Sequence, residues 1–503
     1  MLIKNMGEIM EELLGGLTVW SIADKILAYL FIVLLFWGGK NKLGRKDEFN
    51  EDFLSLDSMK SIRGFAALGV IMHHISQEYF FQEEGVLSAF VNAGAFFVSI
   101  FFFCSGYGLL KSFDTKKDYL KGFIKKRIVK AIVVPFYINA WLYGLFFFLV
   151  KVPLDKVQWV TNLTGITMMN RYAWFPIVLS LLYLVFFLCF RFIKNRYVSF
   201  GIIFTVIIGF GMIFCFEGHY AWWAGPENWW MDENFWETSV KWWMDEQIFW
   251  FNGEWWANSA PAFLTGLVFA NFEKQIVAFF KKKYAIKFHV LLLITVLFYG
   301  LSDFGQNRFG YWTEWAGNGP AITEKIITFF CQVPLFAVFP LTVFILMMKY
   351  RVSNPVTQFF GKYSLHTYLM NLAAITFLRF IEVPDVLVCV GDVKNNLLIY
   401  AVAVIILSVL LGVMEQKITD RVQFALFTKK QPVVYDRTWS LLDNSDSKHM
   451  ACVKEDAKPA KVTENEPEKK PEKVTEKKTE NKPDKKPQKQ AAKKKSDKTD
   501  KEG

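Results

Sequence analysis

Two ionisable residues stand eleven positions apart in one apolar stretch, Arg63 near its start and His74 near its end. Eleven residues are close to three turns of an α-helix, so the two side chains fall within roughly 20° of each other and ~16 Å apart along the axis. The adjacent His73 points roughly 80° away from that face. The spacing therefore predicts one helix face with a cation and an imidazole at different depths, an arrangement that suits a long ligand.

The composition indicates which elements hold this face. Of the 503 residues, 53% are hydrophobic and 17% aromatic, which excludes an ordinary soluble enzyme domain. The apolar residues form runs of about 18 or more, the length of a helix that crosses a bilayer core of ~30 Å. We predict an all-α polytopic transmembrane bundle with spans at 17–39, 62–80, 89–110, 128–150, 173–190, 198–216, 257–272, 285–303, 323–347, 356–380 and 397–415.

Basic residues are concentrated in the connectors after the first, third, fifth, seventh and ninth of these spans. By the positive-inside rule these connectors are cytoplasmic, which places the N-terminus outside and the C-terminus inside. Residues 1–16 are then an extracytoplasmic N-terminus, 17–39 an additional transmembrane helix, and 55–425 a membrane domain of about ten core spans. Residues 428–503 are rich in Lys, Glu and Pro and are predicted to be a disordered cytoplasmic tail.

Glu78 extends the face of Arg63 and His74, four residues beyond His74. Its carboxylate can accept the second imidazole N–H and fix the tautomer of His74. The alternatives are a Glu78 carboxylate at the outer interface, an Arg63 that reaches the inner interface, and a His74 that only packs. Two polar groups on one face at different depths need a shared polar channel, which favours a functional site.

The six cysteines do not form a ligand set. Five lie in apolar runs and Cys452 lies in the tail, without a Cys-x-x-Cys pair or a Cys/His cluster at metal-ligand spacing. We therefore expect neither a disulfide framework nor a metal site. We also expect no nucleic-acid partner.

The connector 217–256 on the predicted outer side is acidic and aromatic. Tryptophan recurs there every seven residues, at Trp229, Trp236, Trp243 and Trp250. On a helix these residues form one stripe. One interpretation is a helix that lies in the outer interface as part of the aromatic belt. The other is a platform on which sugar rings stack, with Trp236 and Trp243 as the candidate contacts.

The residues around Arg63 and His74 resemble a known family. Residues 62–74, Ile-Arg-Gly-Phe-Ala-Ala-Leu-Gly-Val-Ile-Met-His-His, are similar to the opening motif of the family 3 integral-membrane acyltransferases, an Arg and a His separated by ten residues. Enzymes of this family O-acylate envelope glycans. Residues 101–107, Phe-Phe-Phe-Cys-Ser-Gly-Tyr, resemble a second family segment, and they include Ser105 and Tyr107.

Further matches follow in the order of the family. Lys126 and Arg127 resemble its basic pair, and Trp174 opens a span as a tryptophan does in many members. Residues 361–371 are similar to the closing motif, although Asn371 stands where many members have histidine. The resemblance covers roughly 55–425.

The resemblance implies transfer of an acyl group, commonly acetyl from acetyl-CoA, to a hydroxyl of an extracytoplasmic cell-envelope polysaccharide or glycan. Arg63, Lys126 and Arg127 are then expected to hold the CoA phosphates at the cytoplasmic mouth. His74 is expected to act as a general base or as a transient acyl-histidine. No cofactor is expected to be bound permanently, because acyl-CoA is a donor substrate.

Ser105, Tyr107 and Trp174 are the remaining candidate substrate-binding residues. The alternative for Ser105 is a small-residue surface that lets helices approach closely. The main alternative function is a transporter or flippase of an acyl or glycan intermediate, which also needs buried polar residues in a helix-lined cavity. The expected partners are acyl-CoA, an extracytoplasmic glycan and membrane lipid.

Overall fold

Helices are the elements that position the candidate residues. A computed structural model of the chain describes residues 19–77, 87–149, 151, 154, 156–165, 169–170, 172–216, 259–310, 315–316, 319–320, 322–380 and 397–428. The α-helices in these ranges are α1 (Val19–Phe36), α2 (Leu56–Ser76), α3 (Ser88–Val91), α4 (Gly94–Thr115), α5 (Val134–Leu149), α6 (Lys156–Thr164), α7 (Trp174–Phe192), α8 (Arg196–Phe216), α9 (Pro261–Asn271), α10 (Glu273–Lys281), α11 (Tyr284–Phe309), α12 (Ile322–Met347), α13 (Pro355–Phe380) and α14 (Leu397–Phe427). A π-helix (Ile124–Val133) leads into α5, and the short strands are β1 (Lys40–Asn41), β2 (Trp315–Ala316), β3 (Gly319–Pro320) and β4 (Tyr350–Arg351).

Six helical segments in the described part of the chain are long and apolar enough to cross a membrane: Ala89–Thr115, Ile124–Leu149, Trp174–Phe192, Tyr284–Phe309, Ile322–Met347 and Leu398–Phe427. Helices α9 and α10 meet at an 83° bend and add a seventh span if they are counted as one. Each predicted apolar run overlaps a described helix. The chain is therefore an all-α, multi-pass membrane protein, while the predicted count of eleven spans stays a prediction.

The sequence predicts that helices α2 and α13 are also spans, but they are less apolar than these six segments and are not among them. They carry Arg63, His74, His366 and Asn371, and most of α2 is buried, 16 of its 21 residues. Because each packs between other helices, their polar side chains face protein and need no lipid-compatible surface. These two less apolar helices are the ones that carry His74 and Asn371.

Helices α4, α2, α13 and α14 form a row in which each helix packs against the next, and α9 packs on α4. Two glycines bring α2 and α13 into backbone contact. A Cβ on Gly64 would overlap the Thr357 carbonyl oxygen, and a Cβ on Gly361 would overlap that of Lys60. The close approach fixes the position of α2 relative to α13, and hence of His74 relative to Asn371.

A polar cluster outside the spans ties down the segment before α2. Strand β1 pairs antiparallel with β4, and the Asp52 carboxylate accepts hydrogen bonds from Arg351 and from Lys40, the latter at 3.3 Å. Burial raises the pKa of the Asp52 carboxyl, but the charges of Arg351 and Lys40 outweigh that effect and hold this pKa below its ordinary value of 3.8. The cluster anchors the approach to α2.

Several predicted features lie outside the described residues. They are the N-terminus 1–16, the Trp-rich connector 217–256 with Trp236 and Trp243, Glu78, and the tail beyond Thr428.

Candidate functional site

The helix that carries Arg63 and His74 has a defined start. The Ser55 hydroxyl caps α2 by accepting a hydrogen bond from the Ser58 backbone N–H at 3.2 Å. Asp57 lies in the first turn, where the helix dipole favours a negative charge. With the start fixed, helical periodicity places Arg63, Val70 and His74 on one face.

A cavity of about 180 Å³ lies beside this face of α2. Its walls come from α2, α4, the π-helix, α7 and α13. Its polar lining residues are Arg63, Ser105, Arg127, Tyr183, Ser364 and Tyr368, and the rest of the wall is apolar. This combination suits a ligand with an anionic end and an apolar body.

Two arginines from different helices line the cavity, Arg63 and Arg127. The Arg63 Nε–H donates to the Met59 carbonyl at 3.2 Å, which holds the side chain along α2. Arg127 is half-buried on the π-helix, with its guanidinium carbon 5.5 Å from the centre of the Tyr119 ring. A pair of guanidinium groups in one cavity can bind a phosphate through paired hydrogen bonds.

Arg127 and Lys126 are neighbours on the π-helix and point in different directions. The π winding is marked by the Val134 N–H, which bonds to the Val129 carbonyl five residues back. Arg127 lines the cavity, whereas Lys126 is exposed and is not part of the lining. Of the predicted basic pair, the structure thus brings only Arg127 to Arg63.

His74 is held by a tertiary hydrogen bond. Its Nδ1 lies 2.7 Å from Oδ1 of Asn371 on α13, and the Asn371 amide in turn donates to Ser408 Oγ of α14 at 3.2 Å. The His74 ring also stacks on the Tyr172 ring, with centroids 3.6 Å apart and planes 6° from parallel. Because an amide oxygen only accepts, Nδ1 carries the proton and Nε2 is the basic nitrogen of the ring.

Tyr368 is a cavity residue that lies near His74. Its side chain lines the cavity, its ring centre is 6.3 Å from that of His74, and its hydroxyl donates to the Tyr172 carbonyl. His74 is only 5% exposed and is not among the lining residues. The predicted helix face is thus present on α2, with Arg63 and Val70 in the cavity wall and His74 one turn further and outside the lining.

His73 has different surroundings from its neighbour. Its Nδ1 is 3.0 Å from the Phe90 carbonyl oxygen at α3, and its ring packs where a Cβ on Gly94 would be. The two histidines therefore face different helices, in agreement with the angle expected from the helical period. The structure pairs His74, and not His73, with Asn371 beside the cavity.

The other candidates from α4 and α7 divide between cavity and core. Ser105 lines the cavity and hydrogen bonds with the Tyr183 hydroxyl. Tyr107 is not a lining residue, and its hydroxyl donates to Glu273 Oε2 at 2.8 Å. The Trp174 ring packs on Phe175, with centroids 6.1 Å apart. Ser105 is thus placed to contact a ligand, while Tyr107 joins α4 to α10.

Three functional candidates were not predicted from the sequence: Asn371 as the partner of His74, and the aromatic residues Tyr172 and Tyr368. Their contacts join positions far apart in the chain, 297 residues for His74 and Asn371. The only signal for Asn371 was its place in the closing motif. In the described residues no group of His, Cys, Asp and Glu is arranged to hold a metal ion.

The fold and the site define a helical membrane protein with a buried, oriented histidine beside an arginine-lined cavity. The model of acyltransferase family 3, described as an acyltransferase domain, matches residues 56–414. The chain therefore belongs to this family, as the motif around Arg63 and His74 predicted. No curated protein and no solved structure matches the chain significantly.

Proposed function

We propose that this membrane acyltransferase moves an acyl group from cytoplasmic acyl-CoA to a hydroxyl of an extracytoplasmic envelope glycan, with acetyl-CoA as the simplest donor. The observation that carries the proposal is the hydrogen bond between His74 Nδ1 and Asn371 Oδ1, next to a cavity lined by Arg63 and Arg127. An oriented imidazole and an anion-binding cavity are the two parts that such a transfer requires.

The donor phosphates are assigned to Arg63 and Arg127. Both guanidinium groups line the same cavity, and both lie on the side that the positive-inside rule predicts to be cytoplasmic. Phosphate oxygens accept paired N–H bonds from a guanidinium, so the CoA end of the donor binds there. Lys126, exposed nearby, adds to the positive potential that attracts the donor.

The chemistry is assigned to His74. The Nε2 atom takes the proton of the acceptor hydroxyl while its oxygen attacks the thioester carbonyl carbon. The carbon–sulfur bond then breaks, the new ester forms, and the thiolate of CoA leaves with the proton that His74 returns. His74 does not line the cavity in this structure, so neighbouring side chains, Tyr368 among them, must move before the thioester reaches Nε2.

The first experiment tests the reaction. Purified protein in lipid nanodiscs is supplied with acetyl-CoA and a hydroxyl-rich envelope polysaccharide, and both free CoA thiol and glycan ester are measured. Equal amounts of both products are expected from the wild type and none from His74→Ala. A transporter or flippase would release no thiol, and that result would exclude the proposal.

The second experiment tests the two ends of the site. Arg63→Ala is expected to weaken calorimetric binding of a non-hydrolysable acetyl-CoA analogue by about tenfold or more, because each charge-assisted hydrogen bond contributes ~1.5–3 kcal/mol. Arg191→Ala is the matched control, since Arg191 is exposed at the end of α7 and does not line the cavity.

Replacing Trp236 and Trp243 together is expected to leave donor binding intact and to reduce use of the glycan, if these residues stack on sugar rings. Donor affinity that is unchanged in Arg63→Ala and lost in the Trp variant would reverse the assigned roles.

A further inference from the structure

A second cavity, of about 230 Å³, lies between the π-helix, α5 and α7. We call it the apolar groove. Its lining is Ile132, Val133, Phe136, Tyr137, Gly165, Pro176, Ile177, Ser180 and Leu181. Hydrocarbon side chains dominate this lining, so the groove suits an apolar ligand and not a sugar.

The apolar groove adjoins the arginine-lined cavity. Ile132 and Pro176 line both spaces, so the two cavities lie on either side of these two side chains. Ile132 is on the π-helix that also carries Arg127. A ligand with its anionic end at the arginines therefore has an apolar space within reach, past Ile132 and Pro176.

The aromatic residues near His74 lead to the wall that the two spaces share. The Tyr368 ring lies 6.3 Å from the His74 ring, and the Phe175 ring contacts the Tyr368 ring edge-on at 6.0 Å. Pro176, the next residue of α7, lines both spaces. An acyl chain that passes Pro176 would therefore enter the apolar groove.

A hydrogen bond holds one wall of the apolar groove in place. The hydroxyl of Tyr137, a lining residue, donates to the Thr164 carbonyl of α6 at 2.9 Å, and the lining residue Gly165 follows directly. An acyl chain of several carbons has more hydrocarbon to place in this groove than an acetyl group has.

We propose that the apolar groove binds the hydrocarbon chain of the donor, so that the protein prefers acyl-CoA with a chain longer than acetyl. This inference rests on the proposed acyl-CoA donor and adds the chain length. The polarity of the combined site supports it, since cations line one end and hydrocarbon lines the other. A methylene transferred from water to such a surface strengthens binding by about fourfold.

The test compares non-hydrolysable thioether analogues of acetyl-CoA and octanoyl-CoA, with binding to protein in nanodiscs measured by calorimetry. Empty nanodiscs give the partitioning of each analogue into lipid, which is subtracted. The wild type is expected to bind the octanoyl analogue at least about tenfold more tightly. Ser180→Trp places an indole in the apolar groove and is expected to bring the ratio of the two affinities close to one.

Leu184→Trp is the matched control. Leu184 is one turn further along α7, 38% exposed and outside both linings, so this variant should keep the wild-type ratio. A wild-type ratio near one, or the same change of ratio in both variants, would overturn the inference. If neither analogue binds, the proposed donor fails as well. Binding of the acetyl analogue with a ratio of one refutes the groove alone.

A measurement on the wild type avoids dependence on how the variants fold. An octanoyl-CoA analogue with a terminal diazirine is photolysed on the protein, and the labelled peptides are identified by mass spectrometry. Labelling within 132–137 or 176–181 is expected. Labelling confined to other segments would show that the chain lies elsewhere and would reject the apolar groove as its site.

Discussion

Replacing Asn371 with leucine removes the acceptor of the His74 Nδ1–H bond and leaves a side chain of similar shape. With the imidazole neutral, a bond of this kind contributes ~0.5–1.5 kcal/mol, and with a positive charge on the ring it contributes ~1.5–3 kcal/mol. The general-base step places that charge on His74, so the transition state loses about 1–1.5 kcal/mol more than the ground state.

That difference in free energy corresponds to about a five- to thirteenfold lower kcat. Leucine also removes the hydrogen bond by which Asn371 favours one tautomer of the ring, which lowers the fraction of enzyme with a basic Nε2. Asn371 is fully buried and His74 nearly so, which keeps the bond away from competing water. We therefore expect kcat to fall by at least about tenfold.

The assay is release of CoA thiol by purified protein in nanodiscs at saturating donor and acceptor. Asn371 does not line the arginine-lined cavity, so KM for the acyl-CoA should stay within about twofold of wild type. Asn371→His restores an acceptor nitrogen and is expected to recover more activity than Asn371→Leu does. Thermal unfolding of each variant reports whether the α2–α13–α14 packing is intact.

The double variant separates a positioning role from a structural one. In the His74→Ala background, Asn371→Leu should lower the Tm less than it does in the wild type, because the hydrogen bond that Asn371 accepts is already gone. Wild-type kcat in Asn371→Leu would refute the reasoning. An equal loss of Tm in both backgrounds would show that Asn371 acts on the fold and not on His74.

His74→Ala should abolish glycan acylation at matched expression, while His73→Ala should retain most of it because His73 faces another helix. An inactive His73→Ala variant together with an active His74→Ala variant would contradict this. Truncation before Lys448 should leave transfer in detergent unchanged, since a tail that is predicted to be cytoplasmic has no route to the proposed outer acceptor. Loss of transfer with normal membrane insertion would argue against it. Asp52→Asn should lower the Tm more at pH 7 than at pH 3. Its pKa is lowered in the folded state, so the stabilisation by Arg351 is present above the ordinary pKa of 3.8 and is lost as pH falls through the folded value. An equal Tm loss at both pH values would contradict the pairing.

Local periodicity was sufficient for the part of the site that lies on one helix. Arg63 and His74 share a face because the helical repeat fixes the angle between positions eleven apart, whatever the rest of the chain does. The same rule separated His73 from His74, which the structure pairs with different partners. The all-α class followed in the same way from the length of the apolar runs.

Hydropathy was less informative about the helices that carry the site. Helices α2 and α13 are not among the six most clearly apolar segments because of their polar residues, yet both pack between other helices. Interior helices are exempt from the requirement for a lipid-facing surface, and sequence alone does not tell which helices are interior. Backbone contact at Gly64 and Gly361 puts these two helices side by side.

The sequence by itself determined the membrane class, the family, and the helix face that Arg63 and His74 share, because each depends on composition or on short spacing. The tertiary structure alone decided that His74 binds Asn371, that Arg127 and not Lys126 lines the cavity, and that Tyr107 bonds to Glu273. Each of these depends on how separate helices are packed and wound. Glycine contacts, a π-helical turn and an 83° bend set that geometry, and none of them has a local pattern that specifies the partner.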